Sequence, residues 1–152
     1  MVIGPPAQLV SDPEKFNETL KPIWTLFSGA NKEIPNNIGT GSYVDVRDVA
    51  KMHIWAYEHP KEADGERFIA NGGFGPNQAA ADILKELYPE RKDKIPLGEP
   101  GKGYEGYGKG FVDYIEGISG ASNAKAKKVM GIEFISFHDS LRDTVKEFEK
   151  LL

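Results

Sequence analysis

The sequence predicts an α/β protein with few short strands and four or more amphipathic helices. Three observations carry this. Apolar residues recur at intervals of three and four in four separate segments, the repeat of helices that each bury one stripe. Short β-prone runs lie between those segments, and strands alternating with helices imply a parallel sheet. The third observation is an imbalance, since two or three short strands offer little sheet for four helices to cover. The 152 residues fit a single domain over residues 1–152. A chain of that length buries about 68–70% of the surface its unfolded form exposes, so it needs no disulfide or metal to fold.

Val2 and Ile3 form the end of a first strand, stopped by Gly4-Pro5-Pro6. Phe16, Leu20, Ile23, Trp24 and Phe27 share the first helical face. Ser11 and Glu14 supply its capping box, with Pro13 in the first turn, and Pro22 should bend or shorten it. Residues 43–46 form a short extended entry to a second helix, with Asp45 as N-cap and Val46, Val49, Ala50, His53 and Tyr57 as its face. A strand is expected over residues 67–70, between Gly65 and Gly72-Gly73. The third face is Ala80, Ile83, Leu84, Leu87 and Tyr88, opened by Gly75-Pro76, and residues 95–97 are a further extended candidate. Leu141, Val145, Phe148 and Leu152 make the last face, capped through Ser136 and Asp139. Between residues 98 and 120 there are eight glycines in 23 positions. Each would cost a helix about 1 kcal/mol, so this stretch is expected to be a long loop, of the kind that forms lids or flexible segments.

Lys and Arg number 19 and Asp and Glu 23, giving a net charge of −4. That balance argues against general nucleic-acid binding, which requires a basic face. The absence of cysteine excludes disulfides, thiolate metal sites and cysteine nucleophiles. No apolar run reaches the ~18 residues of a membrane span, and no basic-then-apolar leader opens the chain. A soluble, cytoplasmic protein that engages neither nucleic acid nor membrane is therefore expected.

Several motifs invite chemistry. Residues 101–106 spell GxGxxG, but no strand precedes them and further glycines follow, so a glycine-rich loop is expected rather than a phosphate cradle. Tyr88 and Lys92 have the spacing of a proton-donating tyrosine and the lysine that lowers its pKa. Pro89 ends the helical pattern between them, and a packing tyrosine with a solvated lysine is the expected outcome. His53, His59 and His138 lack the spacing of a metal set, and His53 is expected to pack on its helix stripe. Asp45, Arg47 and Asp48 are expected to cap and pair locally, with the wall of a ligand pocket as the alternative. Lys125, Lys127 and Lys128 are expected to form a solvated helix face.

In order along the chain, Val2-Ile3-Gly4-Pro5-Pro6, the Tyr43-Val44-Asp45-Val46-Arg47-Asp48-Val49-Ala50 run, Gly65-Glu66-Arg67-Phe68-Ile69, Lys94-Ile95-Pro96 and the stretch from Asn123-Ala124-Lys125 to Met130-Gly131 resemble landmarks of one family. It is the extended short-chain dehydrogenase/reductases, within the NAD-dependent epimerase/dehydratase superfamily. The nearest branch is dihydroflavonol-reductase-like, and within it the fungal NADPH-dependent methylglyoxal and aldehyde/ketone reductases. The resemblance implies the C-terminal, substrate-side portion of a Rossmann-type fold. The N-terminal dinucleotide-binding half, with its glycine-rich turn and its catalytic serine, tyrosine and lysine, is expected to be absent, so no catalytic residue is assigned. It further implies NADP as the parent cofactor, with Val2 contacting the nicotinamide carboxamide through its backbone and Thr19 meeting a cofactor phosphate. Met1 would line the pocket for a small aldehyde or ketone, under the glycine-rich loop. The expected behaviour is inactivity alone, with self-association or pairing with a Rossmann half or a homologous reductase as the alternative role.

Overall fold

The computed structural model describes residues 1–7, 11–36, 41–104 and 121–152. Strand β1 (Val2–Ile3) leads through a 3-10 turn (Pro13–Lys15) to helix α1 (Lys21–Ser28). Strand β2 (Ser42–Asp45) runs directly into α2 (Val46–Glu58), which the short α3 (Pro60–Ala63) follows. Strand β3 (Gly73–Phe74), α4 (Asn77–Leu87), a 3-10 turn (Pro89–Arg91), α5 (Ala124–Met130) and α6 (Phe137–Phe148) come next, and a 3-10 turn (Glu149–Leu151) ends the chain. The predicted class holds: a small sheet, ordered β1-β2-β3, with more helix than it can cover.

The sheet is mixed rather than purely parallel. β1 and β2 pair parallel, with Val2 opposite Val44 and Ile3 opposite Asp45. β3 pairs antiparallel with β2, placing Phe74 opposite Ser42 and Gly73 opposite Tyr43. The strand expected over residues 67–70 does not form, and neither does the extended pairing expected over residues 95–97. The pairing moves instead to the glycines beyond. There the Gly72 amide donates to the Tyr43 carbonyl at 2.7 Å, and a Cβ on Gly72 would meet the Tyr43 ring at 3.0 Å. Only a bare backbone approaches that closely. Ile95 enters the core as a loop residue, 3% exposed.

The first helical face is real but broken. Asp12, not Ser11, caps the opening turn by accepting from the Glu14 amide at 3.1 Å. Pro22 lies in the first turn of α1, where its missing amide and fixed φ cost nothing, so it starts the helix rather than bending it. Phe16 is brought to the core by the turn, stacking on Phe148 at 5.2 Å while Trp24 meets both rings edge-on. Helix α6 is the centre of this core, with Phe137, Leu141, Val145 and Phe148 fully buried against α1 and α4. Its N-cap is as expected: the Ser136 hydroxyl accepts from the Asp139 amide at 3.1 Å. Leu152, assigned to its stripe, lies beyond the helix and is exposed.

The expected face of α2 is the wrong one. Asp48 and Met52 are its buried side chains, whereas Val46, Ala50, His53 and Tyr57 face solvent. This helix carries apolar residues on both sides, and the side that is buried is chosen by contacts far away in sequence. His53, expected to pack, is exposed, with Nδ1 2.8 Å from the Val49 carbonyl oxygen.

Replacing Leu141 with Ala should cost about 3 kcal/mol through lost burial and a residual cavity. Leu97→Ala, at a position 64% exposed, should stay within about 0.5 kcal/mol. Urea unfolding midpoints of the two variants measure the difference.

Candidate functional site

Where β1 ends, the chain turns through Gly4 at φ +117°, a conformation that side chains rarely adopt. A Cβ there would also lie 2.9 Å from the Asp45 carboxylate. The Gly4 amide donates to Thr144 Oγ1 at 2.8 Å, and that hydroxyl donates to the Ser140 carbonyl at 2.7 Å. Strand end and α6 are thereby tied across 140 positions.

Asp45 sits beneath this turn with its side chain fully buried. Its Oδ1 accepts from the Arg47 amide at 2.8 Å, capping α2, and from Arg47 Nε at 2.9 Å. Its Oδ2 accepts from Arg47 Nη2 at 2.8 Å, and Arg47 Nη1 reaches Asp143 of α6 at 2.7 Å. Burial opposes the Asp45 charge, but the guanidinium and the backbone amide outweigh it and hold the carboxyl below its ordinary range. Asp48, also buried, accepts the Ile135 amide at 2.8 Å. The local capping expected of Asp45, Arg47 and Asp48 is therefore present, and it extends into a junction joining β1, β2, α2 and α6.

Against this junction opens a concavity of about 510 Å³. Val2, Pro5, Thr19, Val46, Arg47 and Ala50 are among its lining residues, so the two structural readings of Arg47, ion pair and pocket wall, coexist. Val2 and Thr19, far apart in sequence, come together here. Thr19 lies in the turn before α1 and not within a helix, its hydroxyl donating to Asn17 Oδ1 at 2.9 Å. Asn17, which sequence reasoning passed over, also accepts the Leu20 amide at 3.0 Å and so shapes this wall. Met1 is not among the lining residues; its amine donates to the Ser42 carbonyl at 2.8 Å and its side chain packs against the core. Because the Val44 amide donates to the Met1 carbonyl, alternation along the strand turns the Val2 N–H and C=O away from β2.

The other motifs do not gather here. Tyr88 caps the end of α4, and Lys92 ends the following 3-10 turn, so they share no helix. The Tyr88 hydroxyl donates to Glu149 Oε1 at 2.6 Å; burial and that carboxylate raise its pKa, the reverse of what a proton donor requires. Gly101 and Gly103 adopt positive φ in a loop held to α4, where Asp82 Oδ2 accepts the Gly101 amide at 2.9 Å and also the Tyr104 hydroxyl. Glu105 and Gly106 of the GxGxxG motif, with the rest of the glycine-rich loop to residue 120, lie outside the described residues. His59 stacks on Trp55 at 4.5 Å, and His138 lies 3.7 Å from the Asp139 carboxylate. Among the described residues no three potential metal ligands cluster, and no helix is long and apolar enough to cross a membrane. Lys125 reaches out to Glu66 and over the Phe68 ring, and Lys127 and Lys128 are exposed on α5.

No family model matches the chain. Curated relatives do. The NADPH-dependent methylglyoxal reductase GRE2 of Saccharomyces cerevisiae is 35% identical over 72% of this chain and 30% of its own length. Ketoreductase azaE of Aspergillus niger is 31% identical over 95% of this chain and 40% of its own. Cinnamoyl-CoA reductase 1 of Arabidopsis thaliana is 31% identical over 99% of this chain and 38% of its own. A crystal structure of yeast methylglyoxal/isovaleraldehyde reductase Gre2 complexed with NADPH superposes with a TM-score of 0.74 at 31% identity, covering 99% of this chain and 42% of that one. The chain thus spans well under half the length of the proteins it matches.

Two tests probe the site's supports. Asp45 has a lowered folded-state pKa, so it contributes stability above its unfolded pKa of about 3.9, and loses it as pH falls through the lower folded value. Asp45→Asn should flatten the acid limb of the stability–pH profile, measured by urea unfolding between neutral and acid pH. Asp82→Ala should free the residue 97–104 segment and speed tryptic cleavage at Lys102 by about tenfold or more; an unchanged cleavage rate would show that Asp82 does not hold the loop.

Proposed function

This chain belongs to the extended short-chain dehydrogenase/reductases, and on that premise we propose that it forms the substrate-side portion of an NADPH-dependent carbonyl reductase. The observation that carries this reading is the concavity in which Val2 and Thr19 meet. Val2 lines it, and the Val2 N–H and C=O, turned away from β2, are an adjacent donor and acceptor suited to a primary carboxamide such as that of nicotinamide. Bound NADPH supplies hydride for reducing a carbonyl. The chain's own part is to orient the ring through the Val2 backbone, meet a phosphate with the Thr19 hydroxyl, and shelter a small aldehyde or ketone. Met1 would then act from the β1 end, its backbone fixing the register that turns Val2 outward.

No described tyrosine and lysine share a helix in the manner proton donation requires. We therefore take the 152 residues to be inactive unaided. The alternative reading, a non-catalytic module that pairs with a dinucleotide-binding half or a homologous reductase, is favoured by the outward Val2 edge and the exposed face of α2.

With methylglyoxal and NADPH, the purified chain should leave nucleotide absorbance at the rate of the protein-free control. Turnover above that rate overturns the proposed inactivity; turnover abolished by Tyr88→Phe would assign proton donation to Tyr88.

A further inference from the structure

We propose that Lys15 is the anion ligand of the concavity beside β1, exchanging its partner Asp12 for the phosphate of a bound mononucleotide. That the anion belongs to a nicotinamide nucleotide rests on the reductase reading above; that the subsite takes an anion does not.

The lining suits a ligand that is apolar with one anionic end. Val2, Pro5, Phe16, Val46 and Ala50 supply apolar wall. Two of the lining side chains are charged, Lys15 and Arg47, and both are cations; no carboxylate is among the described lining residues. Arg47 is closed to a ligand, because Asp45 and Asp143 hold its guanidinium at 2.8 and 2.7 Å. Lys15 is in the opposite condition. Its ammonium lies 3.8 Å from the Asp12 carboxylate, beyond hydrogen-bond distance, and the two side chains are 73% and 47% exposed. An ion pair so long and so solvated contributes little. A phosphate brings more than one negative charge and accepts charge-assisted hydrogen bonds, so the exchange favours it. Apolar walls lined by one sign of charge strengthen that preference by focusing the field.

Neutral donors stand on the same wall. Asn17 Oδ1 accepts the Leu20 amide at 3.0 Å and the Thr19 hydroxyl at 2.9 Å. This leaves Asn17 Nδ2, which donates to no described residue, as a donor for a ligand. The Thr19 hydroxyl can turn from Asn17 to a phosphate oxygen, since the Leu20 amide still occupies the Asn17 oxygen. Carboxylates of the same turns stand apart: Glu18 is held by Lys21 at 2.7 Å, and neither Glu14 nor Glu18 lines the concavity.

Titrations of the full chain, followed through backbone amide NMR shifts, test this with inorganic pyrophosphate, nicotinamide mononucleotide and nicotinamide as probes. Pyrophosphate and the mononucleotide should shift the amides of residues 15–19 at concentrations up to about 20 mM. Lys15→Met should weaken both about fivefold, whereas Lys15→Arg should retain them. Asp12→Asn keeps the oxygen that caps the Glu14 amide but removes the competing charge. It should tighten both about twofold, which a merely structural role for Lys15 would not produce. Lys102→Met, at another exposed ion pair, should change nothing. Pyrophosphate that leaves these amides unmoved, or that moves them equally in Lys15→Met, overturns the proposal whatever nicotinamide does. A mononucleotide that fails to compete with pyrophosphate overturns the nucleotide as the ligand. Nicotinamide is uncharged and reports on the reading beneath. If it leaves the Val2 amide unmoved while pyrophosphate binds through Lys15, the anion subsite stands and the carboxamide role of Val2 falls.

Discussion

The arrangement of this molecule depends on one buried charge. The Asp45 carboxylate lies at the end of β2 with no solvent contact, and a carboxylate in that position is tolerable only if its oxygens are fully engaged. Arg47 supplies two guanidinium contacts and a backbone amide to it. Satisfying Asp45 consequently fixes where α2 begins and which way Arg47 points. Arg47 then brings α6 to the junction through Asp143. The requirement propagates to β1, since the turn at Gly4 passes so close over the carboxylate that only glycine fits.

From this junction the rest follows in two directions. On one side α6 carries its apolar face into α1 and α4, and the aromatic group of Phe16, Trp24 and Phe148 closes the core. On the other side β1 and α2 are held rigidly in place but meet no further sheet among the described residues. The helix surplus visible in the sequence is resolved in this way. Some helices pack on one another, and α2 keeps an apolar side outward.

What could be read from sequence was mostly local. The caps at Asp45 and Ser136 lie within three residues of the amides they bind, and short-range polar chemistry decides them. The first helix was misplaced at its start because Pro22 can either bend a helix or open one, and only the turn at Asn17 selects between these. The buried side of α2 was not legible, since its choice rests on Ile135 and Asp143, about 90 residues away. The pairing at Gly73 escaped for a similar reason: residues 67–70 have the better strand composition, but the Tyr43 ring admits only bare backbone beside it. Of the site, Val2 and Thr19 came from family resemblance rather than from physics. Their meeting in one concavity depends on a turn that no periodicity encodes.

The same polar junction limits what the concavity can do. Arg47 contributes to its wall, but Asp45 and Asp143 already claim the guanidinium, and the Asp45 hydrogen bond keeps it protonated. Lys15 also lines the wall, its exposed ammonium only 3.8 Å from the Asp12 carboxylate, so phosphate contact would fall to Lys15 and the Thr19 hydroxyl rather than to Arg47. The strongest directional groups left are the amide and carbonyl of Val2, held rigid because the Gly4 turn is clamped by Thr144. A rigid backbone donor–acceptor pair discriminates by orientation more than by charge. On the proposed reading, this portion of the fold therefore serves to aim a flat carboxamide-bearing ring rather than to grip the nucleotide. That division of labour also explains why so much buried polar chemistry supports a site with so little polar chemistry of its own.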